Sequence, residues 1–138
     1  MRILDPVPMA SGPLMREWLV VNMILNLERE ARCLSPLVLF PLWLKENKFD
    51  VFGNYERVML PAAFNEDSDS AGEVDENFIE KKLGAHMAHW LWSDAWAGFV
   101  GDERPTKMWW DNEDVARECL SKGTMIEIRT LFALKPAG

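Results

Sequence analysis

The only histidines in the chain, His86 and His89, come closest to a catalytic or metal-binding pattern. They lie three positions apart in a helical segment, so their imidazoles can share one face of a helix. A tetrahedral zinc site needs four ligands, however, and neither histidine has a carboxylate three or four positions away. We expect partly buried histidines packed against tryptophan rings. A metal- or small-ligand-dependent enzyme or binder that uses His86 and His89 is the alternative.

Calcium is the second chemical candidate, because Asp67, Asp69 and Gly72 follow the opening pattern of an EF-hand loop. The fifth position of that loop is Ala71 and the twelfth is Phe78, and neither side chain offers an oxygen ligand. The sequence also contains no Gly-x-Ser-x-Gly, P-loop or Gly-x-Gly-x-x-Gly motif. We therefore predict no catalytic residue, no metal and no cofactor, and we expect a protein that is not an enzyme.

Acidic residues are concentrated in one stretch, residues 65–80, which contains no Lys or Arg. The formal net charge of −7 resides there, because the remaining acids equal the 15 Lys and Arg residues in number. One interpretation is a solvated acidic loop over residues 64–74. The other is an anionic docking surface that imitates a phosphate backbone and steers the protein toward a basic site on a partner. The acids are Glu66, Asp67, Asp69, Glu73, Asp75, Glu76 and Glu80.

Several Trp residues follow the acidic stretch, and Trp is strongly enriched among the residues that dominate binding energy at protein interfaces. The leading hypothesis is therefore a small non-enzymatic inhibitor that occupies a basic surface of another protein, such as a surface that binds nucleic acid. The steering residues would be Glu66, Asp67, Asp69, Glu73, Asp75 and Glu76. The contact residues would be the exposed members of the set Trp92, Trp96, Trp109 and Trp110.

The helical segment that carries the two histidines is apolar on two sides. One stripe consists of Phe78, Ala85, His89, Trp92, Trp96 and Phe99, and a second side consists of Leu83, Met87, Trp90 and Leu91. A helix that is apolar on two sides must lie centrally in the fold or pair with another chain. A self-associating structural subunit, and hence a homo-oligomer, is therefore a further alternative.

Capping residues and apolar periodicity predict the helices that position these side chains. The expected ranges are 12–34, 35–47, 75–98 and 111–123. Pro41 is expected to kink or shorten the second helix. Asp111 is expected to cap the fourth helix and Gly123 to end it.

Two segments are predicted to form a small antiparallel sheet. The first is a hairpin at 48–60, in which a Gly53–Asn54 turn pairs Phe52 with Tyr55 and Asp50 with Arg57. The second is a strand at 124–134, with Ile126, Ile128 and Phe132 on one face and Glu127 and Arg129 on the other. The prediction is an α+β fold of about four helices, forming a single compact domain over residues 1–138 that begins with an extended segment at 1–11.

Cysteine use and hydropathy favour a cytoplasmic protein. Cys33 and Cys119 do not form a Cys-x-x-Cys pair, and we expect both to be reduced, buried thiols. No apolar run approaches the roughly 20 residues needed to cross a bilayer, and no secretory leader is recognisable. We expect no membrane partner, and no direct nucleic-acid binding because Lys and Arg are not clustered.

Overall fold

A computed structural model of the chain describes residues 2–30, 32, 36–65, 76–100 and 108–137. The strands are β1 (Arg2–Met9), β2 (Asp50–Pro61) and β3 (Met125–Leu134). The helices are α1 (Pro13–Leu19), α2 (Leu25–Arg29), α3 (Pro36–Glu46), α4 (Glu76–Trp96) and α5 (Glu113–Lys122). A π-helical turn, Val20–Ile24, joins α1 to α2, and 3-10 turns cover Ala97–Phe99 and Trp109–Asp111.

The strands form one antiparallel sheet in which β3 lies between β1 and β2. Residues from α1, α4 and α5 pack with Ile126 and Ile128 of β3 in the larger core. Residues from α3 pack with Leu131 and Ala133 in a smaller core. Because neighbouring residues of a strand point to opposite faces, the sheet lies between α3 on one face and α1, α4 and α5 on the other. The predicted α+β class with a small antiparallel sheet is confirmed.

The predicted hairpin at 48–60 is wrong, because residues 50–61 form one strand that pairs with β3 on both sides of a single irregularity. Phe52 pairs with Phe132 rather than with Tyr55, and Arg57 pairs with Arg129 rather than with Asp50. The register shifts between Phe52 and Glu56, where the Gly53–Asn54 dipeptide lies. Glycine often marks a bulge within a strand, and here the turn-like dipeptide coincides with such an irregularity.

The predicted alternation along β3 is confirmed for Ile126 and Ile128, which are buried. Phe132 lies on the same face by register but is 39% exposed. Glu127 was expected on the opposite, polar face, yet it is only 3% exposed. Its carboxylate lies 3.2 Å from the guanidinium groups of both Arg57 and Arg129, so the buried charge is compensated by ion pairs.

One end of the fourth predicted helix differs from the prediction and the other agrees with it. The fourth predicted helix, α5, is capped by Asn112, whose side-chain oxygen accepts hydrogen bonds from the backbone N–H groups of Asp114 and Val115. Asp111 instead belongs to the preceding 3-10 turn and accepts from the N–H of Met108. The predicted end at Gly123 is confirmed, since this residue adopts the left-handed conformation with φ of 63°.

Candidate functional site

Most of the acids predicted to steer a partner, namely Glu66, Asp67, Asp69, Glu73 and Asp75, lie outside the described residues. Glu76 is the first residue of α4 and is exposed, and so is Glu80, about one turn later. The described part of the acidic stretch therefore forms the N-terminal end of α4. Carboxylates at this end also interact favourably with the helix dipole.

Two of the four predicted contact tryptophans, Trp92 and Trp109, have no exposed surface. Their rings pack edge to face with centroids 6.3 Å apart, and Trp92 packs in the same way against Trp18. Both are core residues, so they offer no surface to a partner. The physical reason is that α4 turns the side carrying Trp92 toward the sheet, together with Ala85 and Ala88.

Trp96 and Trp110 are half-buried and pack against the same core. The indole N–H of Trp96 donates a hydrogen bond to the carbonyl oxygen of Pro6 at 3.3 Å. Trp110 follows Trp109 in a 3-10 turn, and the two rings pack edge to face with centroids 4.9 Å apart. These two residues retain some solvent-accessible area, but each is held by contacts within the chain.

The two histidines have different surroundings. His86 is exposed, whereas His89 stacks on the ring of Trp110 at 4.5 Å, with an interplanar angle of 7°. Nε2 of His89 lies 2.7 Å from the carbonyl oxygen of Ala62. Because a carbonyl oxygen only accepts, Nε2 must carry the proton and donate it. The expected packing of a partly buried histidine against a tryptophan ring is confirmed for His89.

The environment of His89 favours the neutral imidazole. Burial lowers the pKa of His89, and this effect outweighs the Ala62 carbonyl, which raises it. The nearby His86 also lowers the pKa, and Asp111 raises it. Within the described ranges, no group of three His, Cys, Asp or Glu side chains is placed to hold a metal ion.

Cys119 is buried and not in a disulfide, as expected, and Cys33 lies outside the described residues. Burial raises the pKa of the Cys119 thiol, mainly by penalising the thiolate, so this group is a poor nucleophile. Within the same described part of the chain, no helix is both long enough and apolar enough to traverse a bilayer.

The outward side of α4 carries four large apolar residues in one row, which we call the α4 face. Their exposed fractions are 48% for Ile79, 59% for Leu83, 46% for Met87 and 69% for Trp90. The spacing of four, four and three residues places them on one side of the helix. The α4 face therefore exposes a continuous apolar stripe about three helical turns long.

The charged residues along the α4 face are all acidic. At about 100° per residue, Glu76 and Asp94 fall in line with the apolar row at its two ends, and Glu80 falls beside it. All three are exposed. Lys82 points to a flank, with its ammonium nitrogen 5.6 Å from the centre of the Phe64 ring. The outward side of α4 thus combines apolar contact area with negative charge.

Sequence reasoning identified the stripe of Leu83, Met87 and Trp90 but did not include Trp90 among the contact residues. The size of the side chains on the two sides of α4 is the signal that could have shown which side faces the sheet. The opposite side of α4 carries Gly84, Ala85 and Ala88, and small residues allow a helix to approach a sheet closely. The side with small residues was therefore the one to place against the sheet.

Comparison with known proteins finds no matching family model, no matching curated protein and no matching solved structure. What the site can do therefore follows from its own geometry. Within the described residues, the α4 face is not part of any group of three His, Cys, Asp or Glu side chains that could hold a metal ion. It offers a ridge of apolar side chains bordered by carboxylates, which is a surface suited to contact another macromolecule.

Proposed function

We propose that this protein is not an enzyme and acts by binding another protein through the α4 face. The observation that carries the proposal is the 69% exposure of Trp90 within a row of exposed apolar residues. Single exposed apolar residues are common on protein surfaces, but contiguous apolar patches with polar borders are typical of interaction sites. Trp is enriched among the few interface residues whose replacement by Ala costs about 2 kcal/mol or more of binding free energy.

The charge on the α4 face supports a partner with a basic surface. Glu76, Glu80 and Asp94 border the apolar row, and the acidic stretch of the sequence leads directly into Glu76. Such charge steers association and weakens with salt. We propose in addition that the partner's surface is one that normally binds nucleic acid, so that this protein acts as an inhibitor by occupying it. We place this interaction in the cytoplasm, where a free thiol such as that of Cys119 stays reduced.

Self-association through the α4 face is disfavoured by the same charges. In a two-fold antiparallel pair of α4 helices, Glu76 of one copy lies near Asp94 of the other. Like charges brought together at an interface oppose association. A basic partner instead places an opposite charge beside each carboxylate, so binding to a different protein is the function that the α4 face supports best.

The proposal is tested by affinity purification from the native host with matched tryptophan variants. Trp90→Ala removes the centre of the α4 face, whereas Trp43→Ala removes a 45% exposed Trp from α3 on the other side of the sheet. We expect at least one protein that the wild type and Trp43→Ala recover equally and that Trp90→Ala recovers at least fivefold less. Quantitative mass spectrometry measures the recovery. If no protein depends on Trp90 in this way, the proposed function is wrong.

The steering role is tested with the recovered partner by reversing the acids of the α4 face. Glu76→Lys, Glu80→Lys and Asp94→Lys together should slow association about tenfold at low salt and reduce its salt dependence. A control with the same change in net charge reverses the exposed acids Glu17, Glu28 and Glu46, which lie on α1, α2 and α3. Stopped-flow kinetics compares the two triple variants. Equal slowing in both would mean that only net charge matters.

A further inference from the structure

We infer that the element that docks on the α4 face is an α-helix of the partner, with a basic residue near each of its ends. This inference rests on the proposed function, because it concerns the partner of the same surface. Three properties of the face carry it: the spacing of its apolar residues, the position of its acids, and the state of its backbone.

The spacing of the apolar row matches helix–helix packing. Trp90 lies 11 positions after Ile79, so the row extends about 16 Å along the helix axis. Rows of side chains three and four positions apart form the ridges that fit into the grooves of a second helix. The row formed by Leu83, Met87, Trp90 and Asp94 follows spacings of four, three and four, as in the seam between two helices of a coiled coil.

The acids specify the charge of the partner helix. Glu76 and Asp94 terminate the face and are separated by 18 residues, or about 27 Å along the axis. A partner helix packed nearly parallel to α4 would place Lys or Arg near both ends, with apolar residues between them. Because both ends of the face are acidic, the partner helix can pair its charges in either direction.

Other occupants fit the face less well. An extended peptide binds by adding main-chain hydrogen bonds to a sheet edge, but the interior N–H and C=O groups of α4 are already bonded within the helix. Nucleic acids and anionic lipid surfaces carry the same sign of charge as the face and are repelled by it. A second copy of this chain brings Glu76 and Asp94 together. A basic amphipathic helix avoids each of these difficulties.

A synthetic peptide provides the probe. The peptide has 21 residues, a helix-favouring sequence, Leu at four positions spaced as the α4 face requires, and Lys near both ends. A second peptide is identical except that two residues in its centre are replaced by Pro, which breaks the helix. A third replaces each Lys by Glu. Isothermal titration calorimetry measures binding of all three to the full-length protein at low salt.

The helical Lys peptide should bind with a Kd below 100 μM, and the other two peptides at least tenfold more weakly. The protein variant that combines Leu83→Gln with Trp90→Ala should bind the helical Lys peptide at least tenfold more weakly than the wild type does. The matched variant Leu42→Gln with Trp43→Ala, which changes two exposed residues on α3, should bind it as the wild type does.

The inference is overturned if the helical Lys peptide does not bind, if the Pro peptide binds within twofold of it, or if the α3 variant weakens it equally. These results are separable from failure of the proposed function. If the Pro peptide binds as well and both peptides depend on Trp90, the α4 face binds proteins but does not select a helix. If the native partner in the affinity purification depends on Trp90 while no peptide binds, the proposed function likewise stands and the helical inference fails.

Discussion

The two sides of α4 have similar polarity but opposite surroundings. The side toward the sheet carries Gly84, Ala85, Ala88 and Trp92, all of them buried. The side toward solvent carries Ile79, Leu83, Met87 and Trp90, all of them 46% exposed or more. The buried side thus has mainly small residues and a single large one, whereas the exposed side has four large apolar residues in succession.

This difference separates two uses of apolar residues. On the buried side, small residues bring the helix close to β2, so that an added carbon at Gly84 would lie 3.0 Å from the ring of Pro61. On the exposed side, four large residues keep between 46% and 69% of their surface in contact with solvent. Apolar area that does not stabilise the fold is available for binding, and each prediction below tests whether the two sides are separable in this way.

The largest expected difference is between Trp92→Ala and Trp90→Ala. Removing the fully buried Trp92 leaves a cavity beside Trp18 and Trp109, and should lower the free energy of unfolding by about 3–5 kcal/mol. Removing the exposed Trp90 should change it by no more than about 0.5 kcal/mol. Urea denaturation followed by circular dichroism measures both. Equal losses would show that Trp90 also belongs to the core and would remove the basis of the proposed function.

The second prediction concerns the close approach of α4 to the sheet. Gly84→Val adds a branched side chain against the rigid ring of Pro61 and should lower the free energy of unfolding by about 1–3 kcal/mol. Gly98→Val is the matched control, because an added Cβ at Gly98 meets no atom within 4 Å. The control should stay within about 0.5 kcal/mol of the wild type. Equal unfolding midpoints for the two variants would mean that the helix shifts freely on the sheet.

Sequence reasoning predicted α4, its two apolar sides and the end of α5 because these depend on local signals. The periodicity of apolar residues and the glycine at position 123 act within a few residues of the chain. It did not show which apolar side faces the core. Both sides are apolar, and the decision depends on the shape of the sheet surface that one of them meets.

The errors in the sheet have a non-local cause. The Gly53–Asn54 dipeptide is a strong local turn signal, but the strand pairs with β3, which lies about 75 residues further along the chain. Alternation along β3 suggested that Glu127 faces solvent, because no local pattern shows that Arg57 and Arg129 meet it. A central strand is covered on both faces, so its polar residues become buried where partners are available.

The third prediction uses pH, because the two histidines are neighbours on α4, with ring centres 6.4 Å apart, but differ in burial. Burial lowers the pKa of His89 in the folded protein below its ordinary value of 6.5. As pH falls, His89 is therefore protonated in the unfolded chain before it is protonated in the folded protein. The contribution of neutral His89 to the free energy of unfolding is fully present above about pH 6.5 and is lost as pH falls toward the folded pKa of His89. His89→Gln should reduce this decline most, and His86→Gln should reduce it less, because it removes only the smaller effect of His86 and leaves the burial that lowers the pKa of His89.

Urea denaturation at pH 7.5 and pH 5.5 measures how far the free energy of unfolding of each variant declines between the two pH values. Asp5 titrates with the opposite effect, because burial raises its pKa more than Arg129 lowers it, but all variants share that contribution. It therefore cancels when the variants are compared. A decline in His89→Gln as steep as in the wild type would show that His89 is not held in its neutral form.

The smallest expected effect on stability is at the centre of the α4 face. Leu83→Gln exchanges two residues of similar helix propensity at a site that is 59% exposed, so the free energy of unfolding should change by no more than about 0.5 kcal/mol. On the buried side, Ala88→Gln forces an amide into the core and should cost at least about 2 kcal/mol. Thermal unfolding monitored by circular dichroism measures both. A loss above about 1 kcal/mol in Leu83→Gln would mean that the α4 face is covered in the folded chain. A change near zero in stability, combined with lost peptide binding, would show that Leu83 serves contact with another molecule alone.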